Sequence, residues 1–180
     1  IHEACENKIP DRTIDAYEVF LKSFNTELEI LKKEGHNTKE ILVQEMKKQA
    51  KTLCDKVFVK IQEHFPNFEV FSTEEMLLEP IEEINSNGRK FKGFIDLILK
   101  TPDGKYHIID WKTCSWGWDS RKKSDKILGY QLIYYKNYFS KKHNIDPNKI
   151  ETYFALLKRT AKKENIEIFR ITSAKRKVEN

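Results

Sequence analysis

Two acidic residues lie inside apolar segments that a short turn connects, and this arrangement restricts the fold more than any other feature of the sequence. Asp96 lies within residues 93–98 and Asp110 within residues 108–113. The β-branched and aromatic neighbours of both aspartates are typical of strands, and Pro-Asp-Gly at 102–104 is a turn signal. Because a charge in an apolar strand is unfavourable without a partner, we expect the two carboxylates to share a ligand on adjacent strands.

Helical periodicity precedes these strands. Apolar residues recur every three or four positions over residues 11–34, and again over about 38–65. This spacing predicts two amphipathic helices that form an antiparallel pair. Gly35 marks the end of the first helix and Pro66 the end of the second. We assign both apolar stripes to the core and give them no further function.

The pattern after Pro66 is mainly that of β-strands. We predict strands at about 76–84, 90–100 and 106–111, a helix at 124–142 with Ser124 as its N-cap, and further strands at 151–158 and 165–171. Turn signals at Asn87-Gly88 and at 102–104 separate the first three strands, which are therefore expected to form an antiparallel meander. The order of elements predicts an α/β fold with a mixed central sheet flanked by helices.

Charge is distributed unevenly along the chain. Residues 1–111 carry 16 basic and 21 acidic side chains, whereas residues 112–180 carry 17 and 7. A basic C-terminal part favours a polyanionic partner such as a nucleic acid. No apolar run is long enough to span a bilayer, and the three separated cysteines do not form a disulfide framework. We therefore expect an intracellular protein, cytoplasmic or organellar or in the cytoplasm of a virus-infected cell, that is neither secreted nor bound to a membrane.

The second apolar segment places a lysine beside its aspartate. Asp110 and Lys112 are two residues apart, so both point to one face of a strand and Trp111 points to the other. Carboxylates are ligands that Mg²⁺ prefers, and an ion held by Asp96 and Asp110 can activate water for attack on a phosphodiester, with Lys112 assisting. A purely structural ion pair between Asp110 and Lys112 is the alternative, because the tripeptide is common.

These residues resemble the signature of the PD-(D/E)xK nucleases. Asp96 followed by Asp-Trp-Lys at 110–112 matches the core of the signature. Gln131 and Tyr135 match the Q-x-x-x-Y motif of its RecB-like branch, which includes RecB-type nuclease domains, phage exonucleases and the mitochondrial genome-maintenance exonuclease. The resemblance covers about residues 70–140.

The resemblance implies a restriction-endonuclease-like core and a domain organisation. We expect one nuclease domain over residues 1–180, with a helical N-terminal part at 1–70, a catalytic α/β core at 71–172 and a tail at 173–180. The start at Ile1 rather than Met also fits a domain excised from a longer chain.

The resemblance also implies a role for each residue of the signature. Asp96, Asp110 and the backbone carbonyl of Trp111 are expected to bind Mg²⁺ or Mn²⁺, and Lys112 is expected to be the catalytic lysine. Members of the branch carry a metal-binding histidine before the sheet and, commonly, an upstream glutamate. His2 is the best match for this histidine and His64 is its competitor. Glu75 is the best match for the glutamate, with Glu74 and Glu79 as alternatives.

Further residues are expected to contact DNA. Gln131 and Tyr135 are four residues apart and share one face of the predicted helix, where an amide and a phenol can reach a phosphate, although core packing is the alternative for Tyr135. A segment with two tryptophans and a basic triplet precedes this helix and is suited to stack bases and bind phosphates. Its residues are Trp116, Trp118, Arg121, Lys122 and Lys123.

Together these observations predict a metal-dependent DNA exonuclease that acts on single-stranded or end-containing DNA in replication, repair or recombination. We expect Mg²⁺ or Mn²⁺ as cofactor and no iron–sulfur cluster, because the cysteines do not match the four-cysteine pattern of some relatives. A structure-specific or restriction-type endonuclease is an alternative, and so is a non-catalytic nucleic-acid-binding module on the same fold. The resemblance leaves open that other domains, or helicase and recombination proteins, are partners.

Overall fold

The computed structural model describes residues 1–81 and 88–172. Within these residues the helices are α1 (His2–Lys8), α2 (Ala16–Lys33), α3 (Glu40–His64), α4 (Ser120–Lys123) and α5 (Lys126–His143), with a 3₁₀ turn at Pro147–Lys149. The strands are β1 (Glu69–Pro80), β2 (Lys90–Lys100), β3 (Tyr106–Cys114), β4 (Ile150–Lys158) and β5 (Ile166–Ile171). None of the helices in the described ranges combines the length and the apolarity needed to cross a membrane.

The five strands form one sheet in the order β1-β2-β3-β4-β5. β1 pairs with β2, and β2 with β3, in antiparallel fashion. At the C-terminal ends of β3 and β4, the backbone N–H of Arg159 donates to the carbonyl of Cys114, and the backbone N–H of Thr160 donates to the carbonyl of Ser115. Both the donor and the acceptor advance by one residue from the first bond to the second, so the two segments run in the same direction. This is the pattern of a parallel pair, and the sheet is therefore mixed. The predicted α/β fold with a mixed sheet and flanking helices is confirmed.

The chain divides into two compact units. The first unit comprises Ile1–His64, Thr113–Gly117 and Leu156–Glu167, and the second comprises Phe65–Lys112, Trp118–Ala155 and Ile168–Asn180. In the first unit, helices α1, α2 and α3 contact one another. The core between these helices consists of Ala4, Ala16, Phe20, Ala50 and Cys54. The single domain over residues 1–180 stays a prediction.

Local hydrogen bonds explain where helix α2 begins. The carboxylate of Asp15 accepts hydrogen bonds from the backbone N–H groups of Tyr17 and Glu18, which makes it the N-cap. The predicted start at residue 11 is wrong, because Asp11 instead accepts the N–H of Thr13 at 2.9 Å in a turn. Helix α1 has only seven residues, too few to show a periodic pattern, so hydrophobic periodicity does not predict it.

Helix α5 begins at Lys126 rather than at residue 124. Asp125 is its N-cap and accepts the backbone N–H of Ile127 at 2.8 Å. The predicted cap, Ser124, instead donates its hydroxyl to the carbonyl of Arg121 at 3.0 Å, at the end of α4. A carboxylate caps a helix at least as well as a hydroxyl, so the local chemistry allowed either residue.

Strand β1 begins at Glu69, well before the predicted start at residue 76. Val70 pairs with Leu99 and Ser72 with Ile98, so a β-bulge interrupts the alternation that identifies a strand in sequence. Strand β2 has its predicted limits, and β3 continues to Cys114 rather than to 111. The predicted end of β1 at residue 84, Asn87 of the predicted turn and the tail at 173–180 lie outside the described residues.

Within the second unit, an ion-pair cluster holds the C-terminal end of α5 to β1. Glu75, whose side chain is 14% exposed, accepts a hydrogen bond from Lys142 at 2.6 Å and lies 2.9 Å from Nε2 of His143. The rings of Phe71 and Phe139 contact each other edge to face nearby, with centroids 5.6 Å apart. Burial alone would raise the pKa of Glu75, but its hydrogen bonds with Lys142 and His143 outweigh burial and lower the pKa.

We predict that Glu75→Gln lowers the free energy of unfolding by about 1–3 kcal/mol at pH 7, because hydrogen bonds to a charged acceptor are lost. The folded pKa of Glu75 lies below its ordinary value of 4.5. Its contribution is therefore present above about pH 5 and is lost as pH falls through the folded pKa. Urea unfolding at a series of pH values should show the difference in the free energy of unfolding between the two proteins shrinking as the pH falls below 4.5. A constant difference down to pH 3 would contradict this assignment.

Candidate active site

The two aspartates of the signature are neighbours on adjacent strands of the second unit. Leu97 of β2 pairs with Ile109 of β3, and Asp96 and Asp110 lie directly beyond this pair. The backbone N–H of Trp111 donates to Oδ2 of Asp96 at 2.7 Å, which connects the two strands at this point. The expected convergence of the carboxylates therefore follows from the antiparallel register.

The environment of Asp96 disfavours its negative charge. Burial raises the pKa of Asp96, and the nearby negative charge of Glu74 raises it further. The hydrogen bond from the Trp111 N–H and the positive charge of Lys112 act in the opposite direction but do not compensate fully. Such a carboxylate would be stabilised in its ionised form by an additional cation.

Asp110 is almost completely buried and is compensated by Lys112. Only 2% of Asp110 is exposed. Its Oδ2 lies 2.6 Å from Nζ of Lys112, so the strand alternation that predicted a common face for these side chains also brings them into contact. The Lys112 side chain is 29% exposed, and its ammonium group lies 5.7 Å from the ring centroid of Phe154 on β4. The lysine side chain therefore contacts the buried carboxylate of Asp110 while part of it stays exposed to solvent.

Gln131 on helix α5 connects the strand residues to Tyr135. Its Nε2 donates to Oδ1 of Asp110 and to the hydroxyl of Tyr135, each at 3.0 Å. Its Oε1 accepts from Nζ of Lys112 at 3.2 Å. The two helical residues share a face because they are four positions apart. We call Asp96, Asp110, Lys112, Gln131 and Tyr135 the candidate cluster, and all five belong to the second unit.

Tyr135 fits against the backbone of β2 because residue 93 is glycine. The tyrosine is 8% exposed, and a Cβ atom added to Gly93 would lie 2.8 Å from Cε1 of its ring. Burial raises the pKa of Tyr135, and the negative charges of Asp110 and Asp96 act in the same direction. The phenol is therefore a neutral hydrogen-bonding group at physiological pH. Its hydrogen bond to Gln131 shows that core packing and a polar contact coexist in this residue.

The candidate glutamates differ in their contacts. Glu75 is engaged by Lys142 and His143, as described above. Glu74 lies between residues that pair with Leu97 and Ile95, which brings it opposite Asp96, and its charge acts on the pKa of that aspartate. Glu74 also has a left-handed backbone conformation with φ of 49°, which is uncommon for a glutamate. The strand register and this electrostatic effect therefore relate Glu74, rather than Glu75, to the candidate cluster.

The candidate histidines belong to the first unit. His2 lies in α1, with Nε2 3.4 Å from the hydroxyl of Thr113. His64 is the last residue of α3, and burial lowers its pKa, which favours the neutral imidazole. Among the described residues, no group of three or more His, Cys, Asp and Glu side chains is arranged to hold a metal ion.

The two tryptophans of the segment before α5 differ in exposure. Trp116, in the first unit, is 74% exposed. Trp118, in the second unit, is 9% exposed, because its ring packs edge to face on Phe154 and also contacts Phe169. The ammonium group of Lys122 lies 4.9 Å from the Trp118 ring centroid. The ring of Trp116 is thus available to a ligand, whereas that of Trp118 is largely covered by protein.

The basic triplet is carried by helix α4. Asp119 is its N-cap and accepts the backbone N–H of Lys122 at 2.8 Å. Arg121 and Lys122 are exposed, and the ammonium group of Lys123 lies 5.1 Å from the ring centroid of Phe169. The sequence carried no signal for this single-turn helix, nor for the position of Phe154 beside Lys112, because β4 is about forty residues away along the chain.

A comparison with protein families agrees with the signature. The model of the PD-(D/E)XK nuclease superfamily matches residues 2–179. A similar solved structure is the crystal structure of SSO0001, at 16% sequence identity and a TM-score of 0.44, with 86% of this chain and 78% of that chain covered. A search of curated proteins finds no match.

We predict that Gly93→Ala destabilises the protein by about 1–3 kcal/mol, because the added methyl group must displace the buried ring of Tyr135. The displacement also breaks the hydrogen bond between Tyr135 and Gln131. Urea unfolding would measure the loss, and adding Tyr135→Leu to Gly93→Ala should recover part of it. Gly129→Ala is the control, because among the described residues a Cβ atom added there would have open space around it, and alanine favours the helix. Equal effects at both glycines would contradict the close approach.

Proposed function

The chain belongs to the PD-(D/E)XK nuclease superfamily, and from this premise we propose that it is a metal-dependent DNA exonuclease acting on single-stranded or end-containing DNA. We place it in the RecB-like branch and in replication, repair or recombination. The observation that carries the proposal is the contact of Lys112 with both Asp110 and Gln131, since it joins the two motifs of the signature in one hydrogen-bonded group.

The residues of the candidate cluster suit a hard divalent cation. Asp96 and Asp110 supply carboxylate oxygens, the donor type that Mg²⁺ and Mn²⁺ prefer. The raised pKa of Asp96 indicates that its negative charge is only partly compensated, and a cation would complete the compensation. We propose these two carboxylates and the backbone carbonyl of Trp111 as metal ligands. The oxygen donors of these residues fit a hard divalent cation, and we propose that the bound ion is Mg²⁺ or Mn²⁺.

Each member of the cluster has a proposed task. When bound, a divalent ion would supply positive charge that lowers the pKa of water and stabilises the charge developing on the phosphate. Lys112 would present its partly exposed ammonium group to the scissile phosphodiester and stabilise negative charge there. Gln131 would hold Lys112 and Asp110 in position through its amide oxygen and nitrogen. Tyr135, neutral and hydrogen-bonded to Gln131, would orient that amide.

We propose Glu74 as the upstream acidic residue of the site. It lies opposite Asp96 and its charge acts on that carboxylate, whereas Glu75 is committed to Lys142 and His143. His2 remains our proposed histidine ligand, on the basis of its sequence context alone.

DNA binding is proposed for the segment between β3 and α5. Trp116 offers an exposed ring for base stacking, and the exposed Arg121 and Lys122 offer positive charge for phosphates. Lys123 and Trp118 contribute less directly, because each of their side chains already contacts an aromatic ring of the second unit. Binding through these cations should weaken as salt concentration rises.

We predict that Lys112→Ala lowers the rate of DNA hydrolysis by about 10²–10⁴-fold, the range expected when a positioned catalytic group is lost. The assay uses 5′-labelled single-stranded and duplex DNA with Mg²⁺ or Mn²⁺. Lys100→Ala is the matched control, because Lys100 also lies in the second unit, at the far end of β2 over the Tyr106 ring. Because Lys112→Ala also removes the counterion of the buried Asp110, thermal unfolding would establish that each variant is folded at the assay temperature.

Equal cleavage by the wild type and Lys112→Ala would reject the assigned mechanism. Covalently closed circular DNA separates the alternatives, because an exonuclease leaves closed circles intact and an endonuclease opens them. A wild type that binds DNA but neither cleaves it nor binds divalent ions would be a non-catalytic nucleic-acid-binding module.

We predict that Glu74→Gln lowers the affinity for Mn²⁺ by about tenfold, since residues next to the ligands of a metal commonly tune its binding by about 10- to 100-fold. Glu75→Gln should leave Mn²⁺ affinity unchanged while it lowers stability. Titration calorimetry would measure the Mn²⁺ affinity of both variants, and urea unfolding would measure their stability. The reverse pattern would identify Glu75 as the acidic residue of the site.

A further inference from the structure

Helix α5 exposes a row of large apolar side chains. Ile127 is 78% exposed, Tyr130 40% and Tyr134 51%. Their spacing of three and four residues aligns them along one face of the helix. Rows of this kind normally face a core, and such a surface row in a soluble domain indicates a binding function. We call Ile127, Tyr130 and Tyr134 the α5 stripe.

The charge around the α5 stripe is positive. Helix α5 contains four lysines and no acidic residue over its whole length, Lys126–His143. Arg121 and Lys122 of α4 precede it and are exposed. The carboxylates of Asp119 and Asp125 cap α4 and α5 in the same segment, so positive charge predominates around the stripe without being its only charge. An apolar surface with a mainly positive border suits an anionic partner that also has apolar faces. Single-stranded nucleic acid has this composition, because the flat faces of its bases can stack on apolar side chains and its backbone is negatively charged.

Tyr134 is held in place before any ligand binds. Its ring lies 5.9 Å from that of Phe91 on β2, which in turn stacks on Tyr138 with centroids 4.3 Å apart. One part of the Tyr134 ring is therefore supported, while about half of the residue stays open to solvent. A ring already fixed in this way loses little conformational freedom when a base stacks on it.

The α5 stripe also borders the candidate cluster. Ile127 lies four residues before Gln131, and Tyr134 three residues after it, so both adjoin Gln131 on the helix surface. Gln131 contacts Asp110 and Lys112 directly. A strand whose phosphate reaches Lys112 would therefore have its neighbouring bases beside the stripe.

We propose that the α5 stripe is a base-stacking surface that selects single-stranded DNA at the active site. This inference rests on the proposed nuclease function. Unstacked bases of a single strand can pack on Tyr134, Tyr130 and Ile127, whereas the bases of a duplex are covered by their neighbours. The stripe thus supplies a preference for single strands that phosphate contacts alone do not provide.

The test measures binding apart from hydrolysis, by fluorescence anisotropy with labelled oligo(dT) and with a blunt duplex of equal length, in EDTA. Tyr134→Ala should raise the Kd for oligo(dT) by about 5- to 160-fold, the range for loss of one base stack, and change the Kd for the duplex by less than about twofold. Tyr134→Phe keeps the ring and should stay within about twofold of the wild type for both. Tyr134 is half exposed, so we expect both variants to fold, which thermal unfolding verifies.

Ile127→Ala and Ile41→Ala form a matched pair of controls. Ile41 lies on α3 and is 76% exposed, against 78% for Ile127. Only Ile127→Ala should weaken binding of oligo(dT). Equal effects of the two variants would mean that surface apolarity in general, and not the α5 stripe, governs binding.

The outcomes separate this inference from the proposed function. Suppose that the wild type cleaves DNA and that Tyr134→Ala binds oligo(dT) like the wild type. This result would overturn the base-stacking role of the α5 stripe and leave the proposed nuclease function intact. Equal losses for oligo(dT) and duplex would also overturn it. A wild type that cleaves neither substrate, with the selective loss still present in Tyr134→Ala, would overturn the nuclease proposal and leave the stripe as a single-strand binding surface. A wild-type dimer that Tyr134→Ala dissociates without changing DNA binding would assign the stripe to self-association instead.

Discussion

The burial of the Asp110 carboxylate imposes the strictest condition on this structure. Asp110 is 2% exposed, and a carboxylate buried to this extent is tolerated only with a counterion and hydrogen-bond donors close by. Lys112 at 2.6 Å supplies the charge, and Gln131 supplies a donor at 3.0 Å. Removing one partner of such a pair typically destabilises a protein by about 3–5 kcal/mol. The strand β3 and the helix α5 must therefore meet at this point, and the same contacts produce the candidate active site.

The position of α5 depends on contacts along its whole length. Asp125 caps its first turn, Gly93 lets the ring of Tyr135 approach β2, and Glu75 holds its last turn to β1. A helix fixed in this way presents two different surfaces. Its inner side carries Gln131 and Tyr135, and its exposed side carries the α5 stripe. The packing of α5 against the sheet therefore produces both the proposed catalytic surface and the proposed base-stacking surface, on two sides of the same helix.

Features that depend on local pattern were predictable. The limits of β2 and the common face of Asp110 and Lys112 follow from strand alternation, which is a property of a few consecutive residues. The start of β1 was missed because a β-bulge near residue 71 breaks that alternation. Ser124 and Asp125 both have suitable chemistry for the cap of α5, so only their contacts in the folded protein distinguish them.

The α/β class of the fold and the residues of the signature can be recognised in the sequence, because strand and helix periodicity and the order of motifs are encoded locally. The tertiary structure decided which polar groups meet. It joined Gln131 to Lys112 and Asp110, engaged Glu75 with Lys142 and His143, and covered Trp118 with Phe154 and Phe169. These partners are distant along the chain, so their contacts depend on how whole elements pack, which no local pattern specifies.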